Sequence, residues 1–320
     1  MNNKITSVVR QQPKLTGQIG NTLIYVNPDL EDQKVDIIKN GLYILRANEG
    51  FDGLNSVEIN ADVQPILPEK GVIFSDYDSN GYPTKVTLAG YKPLVPHYIL
   101  QNTSSSQSSY AALENIQEIV VTGEPTEVGH CAFEYNTNLK KIVLPDTIKS
   151  FGANVFYGDS KLELDHLPAS LTGSVSQNSI FQNCYKLNIK TIPDGVTAIA
   201  GSNTFANCRG LTQISMRNVT TLGSDGYASV ACFLNCTGLK AAWIGSAMTS
   251  SGFGRFTFNG CTSMRKLFID KPRATVESFK RYSYAFSNST FGTDIIVCND
   301  DEGFMTKEEF DAIDWSTYEG

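Results

Sequence analysis

The side chains whose types and spacing could do chemistry are few, and the first group is acidic. Asp76-Tyr-Asp78-Ser-Asn80-Gly81 matches the opening of a calcium loop, Asp-x-Asp-x-Asn-Gly. Calcium takes roughly six to eight oxygens, and the bidentate glutamate due at loop position twelve is Thr87 here. Pro83 and the alternating flanks indicate strands, and Asn80-Gly81 is a preferred type I′ hairpin turn. Asp76, Asp78 and Asn80 thus form a metal candidate whose stronger reading is a turn solvated by carboxylates. Only three histidines exist, His97, His130 and His166, and no His-Glu-x-x-His or Gly-x-Ser-x-Gly occurs. Gly252-Phe-Gly254 is a fragment of a phosphate-binding loop without its third glycine. Sequence cannot place any two of the many acidic residues across a cleft at glycosidase distances. Neither catalytic residues nor a cofactor are expected.

Seven cysteines are an odd number, which argues against a complete disulfide framework. No Cys-x-x-Cys occurs, so zinc has no obvious ligand set. Cys184, Cys208, Cys236 and Cys261 each stand three residues after a phenylalanine, in Phe181-Gln-Asn-Cys, Phe205-Ala-Asn-Cys, Phe233-Leu-Asn-Cys and Phe258-Asn-Gly-Cys. That regularity predicts an inward ladder of small, free thiols.

The elements that position these groups follow from a period. Phe133, Phe156, Phe181, Phe205, Phe233, Phe258 and Phe286 recur every 23 to 28 residues. A unit of that size cannot bury a core alone, so repeats must stack into a solenoid. Six residues after each Phe stand Leu139, Leu162, Leu187, Leu211, Leu239 and Met264, with Gly292 departing in the last repeat. Eleven after come Leu144, Leu167, Ile192, Met216, Ile244, Ile269 and Val297. If those eleventh residues point inward, strand alternation turns their predecessors outward: Val143, His166, Thr191, Ser215, Trp243, Phe268 and Ile296. The candidate ligand-binding set is His166, Trp243, Phe268 and Ile296, the last three forming a large apolar stripe towards the C-terminus. A competing reading covers the stripe with a neighbouring segment. Another shifts the register, because Leu164 and Ile189 lie eight rather than nine residues after their Phe.

The flanks read differently. Thr306-Lys-Glu-Glu309 is a capping box with Met305 and Phe310 as a staple, predicting a helix from Lys307 to Ile313 whose Phe310, with Trp315, covers the last repeat. Before the repeats, Lys39–Leu45 and Gly53–Val63 read as strands, and Val72–Ser75 and Lys85–Leu88 as a hairpin around Asp78–Gly81. Gln101–Ser109 is a polar, low-complexity loop. Net charge is −7 with no basic stripe, which excludes a phosphate-backbone partner. Met1–Ser7 lacks the apolar core of a signal peptide, and no stretch is apolar enough to span a membrane, so neither ordinary export nor insertion is expected.

His130-Cys-Ala-Phe133 through Pro145-Asp-Thr-Ile148, and Phe181-Gln-Asn-Cys184 through Pro193-Asp-Gly-Val196, resemble the BspA-like leucine-rich repeat across residues 113–298. Later repeats drift: no proline follows Met216 or Ile244, and Ser289 replaces the cysteine. Asn40-Gly-Leu-Tyr-Ile-Leu-Arg-Ala-Asn-Glu-Gly-Phe-Asp-Gly-Leu-Asn-Ser-Val-Glu-Ile is similar to a segment of tail-associated structural proteins of phages and prophages of Gram-positive gut bacteria. Gly71–Lys85 is similar to a linker that joins such segments to these repeats. The resemblance implies a mainly β chain with four parts: a β-rich attachment region at 1–66, a hairpin and linker at 67–112, a leucine-rich-repeat solenoid with a parallel sheet at 113–298, and a helical cap at 299–320. It also implies a non-enzymatic tail component of the virion that contacts other tail proteins and binds a host-surface glycan or protein. A homotrimer is a further implication, with Lys14–Tyr25 as an intertwining strand. The alternative is a bacterial cell-surface or secreted adhesin.

Overall fold

A computed structural model describes residues 71–79, 82–102, 113–223, 231–249, 251–254, 256–278 and 295–318, together with the backbone of four strands nearer the N-terminus. Those four are β1 (Lys14–Ile19), β2 (Thr22–Asn27), β3 (Asp36–Ile38) and β4 (Leu42–Arg46), in one sheet of order β1-β2-β4-β3. Here Lys14–Ile19 forms an antiparallel hairpin with Thr22–Asn27. The strand expected at 53–63 and the loop core at 103–112 lie outside the described residues.

From residue 71 onward the strands belong to the stack. In order they are β5 (Gly71–Tyr77), β6 (Pro83–Tyr91), β7 (Leu94–Val95), β8 (Glu118–Gly123), β9 (Glu127–Val128), β10 (Lys141–Val143), β11 (Ser150–Phe151), β12 (Gly173–Ser174), β13 (Val196–Ile199), β14 (Gln213–Met216), β15 (Thr221–Leu222), β16 (Ala241–Ile244), β17 (Lys266–Ile269) and β18 (Ile296–Cys298). Among the described residues two short helices follow late in the chain, α1 (Arg273–Glu277) and α2 (Lys307–Ala312). The main parallel ladder comes in two sheets, β10-β8-β6-β5 and β14-β16-β17-β18, while β11-β9-β7 and β12-β13-β15 line a second edge of the repeats.

Each repeat turns around its phenylalanine. The rings of Phe133, Phe156, Phe181, Phe205, Phe233 and Phe258 are all at most 1% exposed and stack successively at 5.1–5.5 Å between centroids. Leu139, Leu162, Leu187, Leu211, Leu239 and Met264 are fully buried beside them. The residue two after each Phe has positive φ: Tyr135, Gly158, Asn183, Asn207, Asn235 and Gly260. That explains the Asn or Gly of the tetrapeptide, because these residues tolerate the left-handed region best. At Gly260 (φ +74°) an added Cβ would also lie 2.2 Å from Asn235 Oδ1.

The cysteine position is more than packing. Cys184, Cys208, Cys236 and Cys261 each donate from Sγ to the carbonyl of the preceding repeat's Phe at 3.0–3.1 Å. All are buried and free, and desolvation pushes the Cys184, Cys208 and Cys236 thiols well above their ordinary range. The same rung is Asn136 and Asp159 in the first two repeats. Asn136 Nδ2 donates to Leu100 O at 2.8 Å, an equivalent inter-repeat bond. Buried Asp159 accepts from Asn136 N–H through Oδ1 at 2.8 Å, while its Oδ2 has no partner.

Residues 71–91 form the expected hairpin, β5 antiparallel to β6, and its second strand extends the parallel ladder of the repeats. Strand β6 pairs in parallel with β8, Leu88↔Val121 included, and Val72, Phe74, Val86 and Leu88 join the same core as the Phe stack. Leu100 N–H bonds Ala132 O, so Leu100 stands on the rung ahead of Phe133. A sheet edge that would otherwise be bare is therefore capped by an antiparallel hairpin from outside the repeat.

Burial favours the neutral Asp159 carboxyl, desolvation raising its pKa well above the ordinary carboxylate value. A raised folded-state pKa makes the stabilising contribution complete below the unfolded value near 3.9, and it is lost as pH rises towards the folded value. Asp159→Asn should match the wild-type melting temperature near pH 4 and exceed it at pH 8. Equal slopes of melting temperature against pH in the two proteins would refute that assignment.

Candidate functional site

The outward row is legible strand by strand. Parallel register aligns Thr87 with Val120 and Val120 with Val143, then Ser215 with Trp243, Trp243 with Phe268, and Phe268 with Val297. A bridge between Thr191 and Ser215 joins the intervening repeat to the second sheet. The last position corrects the expectation at Ile296. Ile296 pairs with Leu267 and sits in the inner core, while Val297 takes the outward place beside Phe268. Counting eleven residues from Phe286 misses by one because pairing to β17, not distance from the Phe, fixes the register.

The apolar stripe is not exposed. Trp243 is 4% and Phe268 1% exposed, under a second apolar cluster formed with Phe310 and Trp315 and flanked by Phe304, Met305, Ile313 and Tyr318. Trp243 Nε1 donates to Met305 O at 3.0 Å, and Trp315 Nε1 to Phe310 O at 3.1 Å. Helix α2 carries the expected capping box, with Thr306 and Glu309 bonding each other's backbone N–H. Its apolar face turns onto the outer side of β16, β17 and β18, since Trp and Phe side chains there offer a surface that water would otherwise wet.

His166 stands elsewhere and stays open. Between β10 and β14 the ladder lapses over two repeats, and the cause is spacing. Leu164 and Leu167 both point inward with Asp165 and His166 between them, one residue more than strict alternation allows. Ile189 and Ile192 repeat the pattern around Lys190 and Thr191. The displaced backbone leaves an open groove of about 510 Å³ beside β10, lined among others by Lys141, Val143, Glu163, Asp165, His166 and Asn188. The Asp165 and His166 side chains are 74% and 80% exposed, with Asp165 Oδ1 2.6 Å from His166 Nδ1. This hydrogen bond from the imidazole lowers the Asp165 pKa. Val143 is 40% exposed on the groove's other wall.

A second outward row, which the repeat pattern did not single out, crosses β6, β8 and β10. Lys85 Nζ lies 3.9 Å from Asp76 Oδ2 and 3.4 Å from Glu118 Oε1, which is 3.5 Å from Lys141 Nζ. Two cations alternate with two anions, so the row is polar without strong net charge. Its signal in the sequence is simple alternation within Lys85-Val-Thr-Leu, Glu118-Ile-Val-Val and Lys141-Ile-Val.

The acidic loop candidate resolves into local structure. Asp78 N–H bonds Tyr82 O at 2.8 Å and Asp78 Oδ1 accepts from Tyr82 N–H at 2.9 Å, closing the β5–β6 turn. Asp76 faces Lys85, and Asn80 lies outside the described residues. Both described carboxylates thus already have protein partners. Among the described residues no group of three His, Cys, Asp or Glu side chains is placed to hold a metal ion, and no helix is long and apolar enough to cross a membrane.

The profile of the BspA type leucine-rich repeat region matches residues 103–231 and 202–303, in six copies. The chain belongs to the BspA-type leucine-rich-repeat family. Solved structures similar to this BspA-type chain include a leucine-rich-repeat protein of T. pallidum, at 18% identity and TM-score 0.43, covering 68% of this chain and 97% of that one. A leucine-rich-repeat protein from Bacteroides ovatus follows at 15% identity and TM-score 0.34, covering 64% and 70%. A leucine-rich cell surface protein from Faecalibacterium prausnitzii has 13% identity and TM-score 0.20, covering 69% and 99%. No curated protein matches the chain significantly.

Because neither His166 nor Val143 belongs to a hydrophobic core cluster, His166→Ala and Val143→Ala should each change unfolding free energy by no more than about 0.5 kcal/mol. Chemical denaturation measures this directly. A loss above about 2 kcal/mol in either variant would make the groove part of the packed fold.

Proposed function

We propose that this BspA-type protein is a non-enzymatic, adhesin-type binding scaffold, and that its ligand surface is the outer sheet face from Thr87 to Thr191 with the groove at His166. The observation that carries the reading is the groove itself. Two consecutive repeats depart from ladder geometry together, and the departure sets His166, Asp165, Glu163 and Val143 around one opening on a rigid frame. A pre-formed frame loses little ordering entropy on contact. Mixed acceptors, donors and a small apolar wall suit a surface glycan or a polar protein epitope, and they supply no nucleophile and base aligned for turnover.

Labelled full-length protein titrated onto bacterial and epithelial cells tests this, with cells pretreated by periodate or protease to separate glycan from protein ligands. The expected outcome is saturable binding that falls at least tenfold in the combined variant Val143→Asp, Asp165→Ala, His166→Ala. Undiminished binding by that variant would remove the groove from the function, and fragments released from purified peptidoglycan would replace the scaffold with an enzyme.

A second reading rests on the segment Asn40–Ile59, which resembles tail-associated proteins of phages and prophages. In that setting the same scaffold would be carried on a virion tail with other tail proteins, and possession of a trimeric mount would follow. Antibody-gold labelling of particles induced from a strain carrying this gene should then mark tail tips or fibres. Label confined to cells or medium would leave the surface adhesin alone.

A further inference from the structure

Half of the outer sheet face is already occupied, and by this chain itself. The segment Phe304–Tyr318 lies over Ala241, Trp243, Phe268 and Val297. Trp243, Phe268 and Val297 continue the outward row that runs open at Val143, while Ala241 stands in the neighbouring row with Gln213. On the opposite side of the same strands, Ile214, Met216, Ala242, Ile244, Leu267 and Ile269 belong to the main core with the Phe stack. The segment's cluster is separate from that core. The sheet is therefore closed on its inner side without help from the segment.

Two features mark the cover as an occupant. Gln213 stands in register beside Ala241 on the covered face, is fully buried, and neither atom of its amide has a hydrogen-bond partner. A native core seldom leaves such a group unmatched, so the resident segment leaves the donor and acceptor of this amide unused. The tethers at the margin are also exchangeable. Arg217, 41% exposed, pairs with Glu308, 70% exposed, and Lys240 Nζ donates to the Ser316 and Tyr318 carbonyls at 2.8 Å. The exposed Arg217–Glu308 ion pair contributes little.

We propose that the C-terminal half of the outer face is a docking surface for short amphipathic peptide segments that carry paired aromatic anchors, and that residues 304–318 are its resident, displaceable occupant. Trp243 and Phe268 receive the aromatic anchors, as they now receive Phe310 and Trp315, and Gln213 offers its amide to the backbone of an incoming segment. Release would extend the open row at His166 into one surface across the whole ladder. The inference rests on the outer face being the contact surface, but its test reads the segment directly and can fail while cell binding by the groove stands.

Two measurements on the full-length chain decide it. Hydrogen exchange on the wild type should show amides of 307–313 exchanging at least 100-fold faster than those of β16 and β17. Joint exchange of segment and strands would overturn the proposal, because the segment would then be a structural cap. The second measurement uses the variant Phe310→Ala, Trp315→Ala and a synthetic peptide of residues 304–320. The variant should keep its strand circular dichroism and bind the peptide at least tenfold more tightly than the wild type, whose own segment competes at high effective concentration. Further replacing Trp243 by Ala should abolish the gain. A variant that unfolds as a whole, or that stays folded and does not bind, would overturn the proposal.

Discussion

The bond that four successive repeats make to the carbonyl of the preceding Phe is the constraint around which this molecule is arranged. A stacked ring buries apolar surface but does not by itself set the spacing between repeats. Each Phe carbonyl, buried beside the stack, accepts a backbone N–H within its own turn, from Asp159, Cys184, Cys208 and Cys236 in succession, and keeps a second lone pair that calls for a donor from the next repeat. Cys184, Cys208, Cys236 and Cys261 meet that need from the next repeat with a small side chain that also packs as a hydrophobe. Alanine would fill the volume without donating. Serine would donate while bringing a more strongly hydrated group into the core. The left-handed residue before each cysteine directs the thiol onto the rung.

This ladder also sets where variation is tolerated. Once the Phe turn and the inner leucine are pinned, the stretch between the two inward anchors of the strand is free to hold one residue or two. One gives a ladder strand, as at Ile142 and Leu144. Two give the bulge at Asp165 and His166, and then again at Lys190 and Thr191. The groove is thus a local relaxation of sheet geometry bounded by repeats that keep their inner contacts. Solenoids allow this because each repeat answers only to its neighbours.

Both ends of the stack use segments that are not repeats. At the start the β5–β6 hairpin joins the parallel ladder antiparallel-side out, with Leu100 standing where the next repeats place Phe. At the other end the chain after β18 folds back over the outer face, with a helix of only six residues stabilised by its capping box and by aromatic burial. The two sheet faces consequently differ in character along their length. The N-terminal half presents charged and small side chains to solvent, and the C-terminal half presents rings to its own tail.

The amino-acid sequence alone determined the period, the Phe stack, the inner leucine line, the free thiols, the strand positions and the capped helix, because each depends on contacts that recur at fixed spacing or within one turn. Even the bulge was visible, as eight residues in place of nine before Leu164 and Ile189. Tertiary structure decided the rest. Whether Trp243 and Phe268 faced water depended on where a segment some forty to seventy residues later came to lie, and burial of a row has no signature in the row itself. The outward residue of β18 was set by pairing to β17, so Val297 rather than Ile296 took the place. In the closure of the stack by residues 71–102, Val95-Pro-His-Tyr-Ile-Leu100 repeats Val128-Gly-His-Cys-Ala-Phe133 in rung and backbone, but with Leu100 in place of the phenylalanine it fell outside the Phe period.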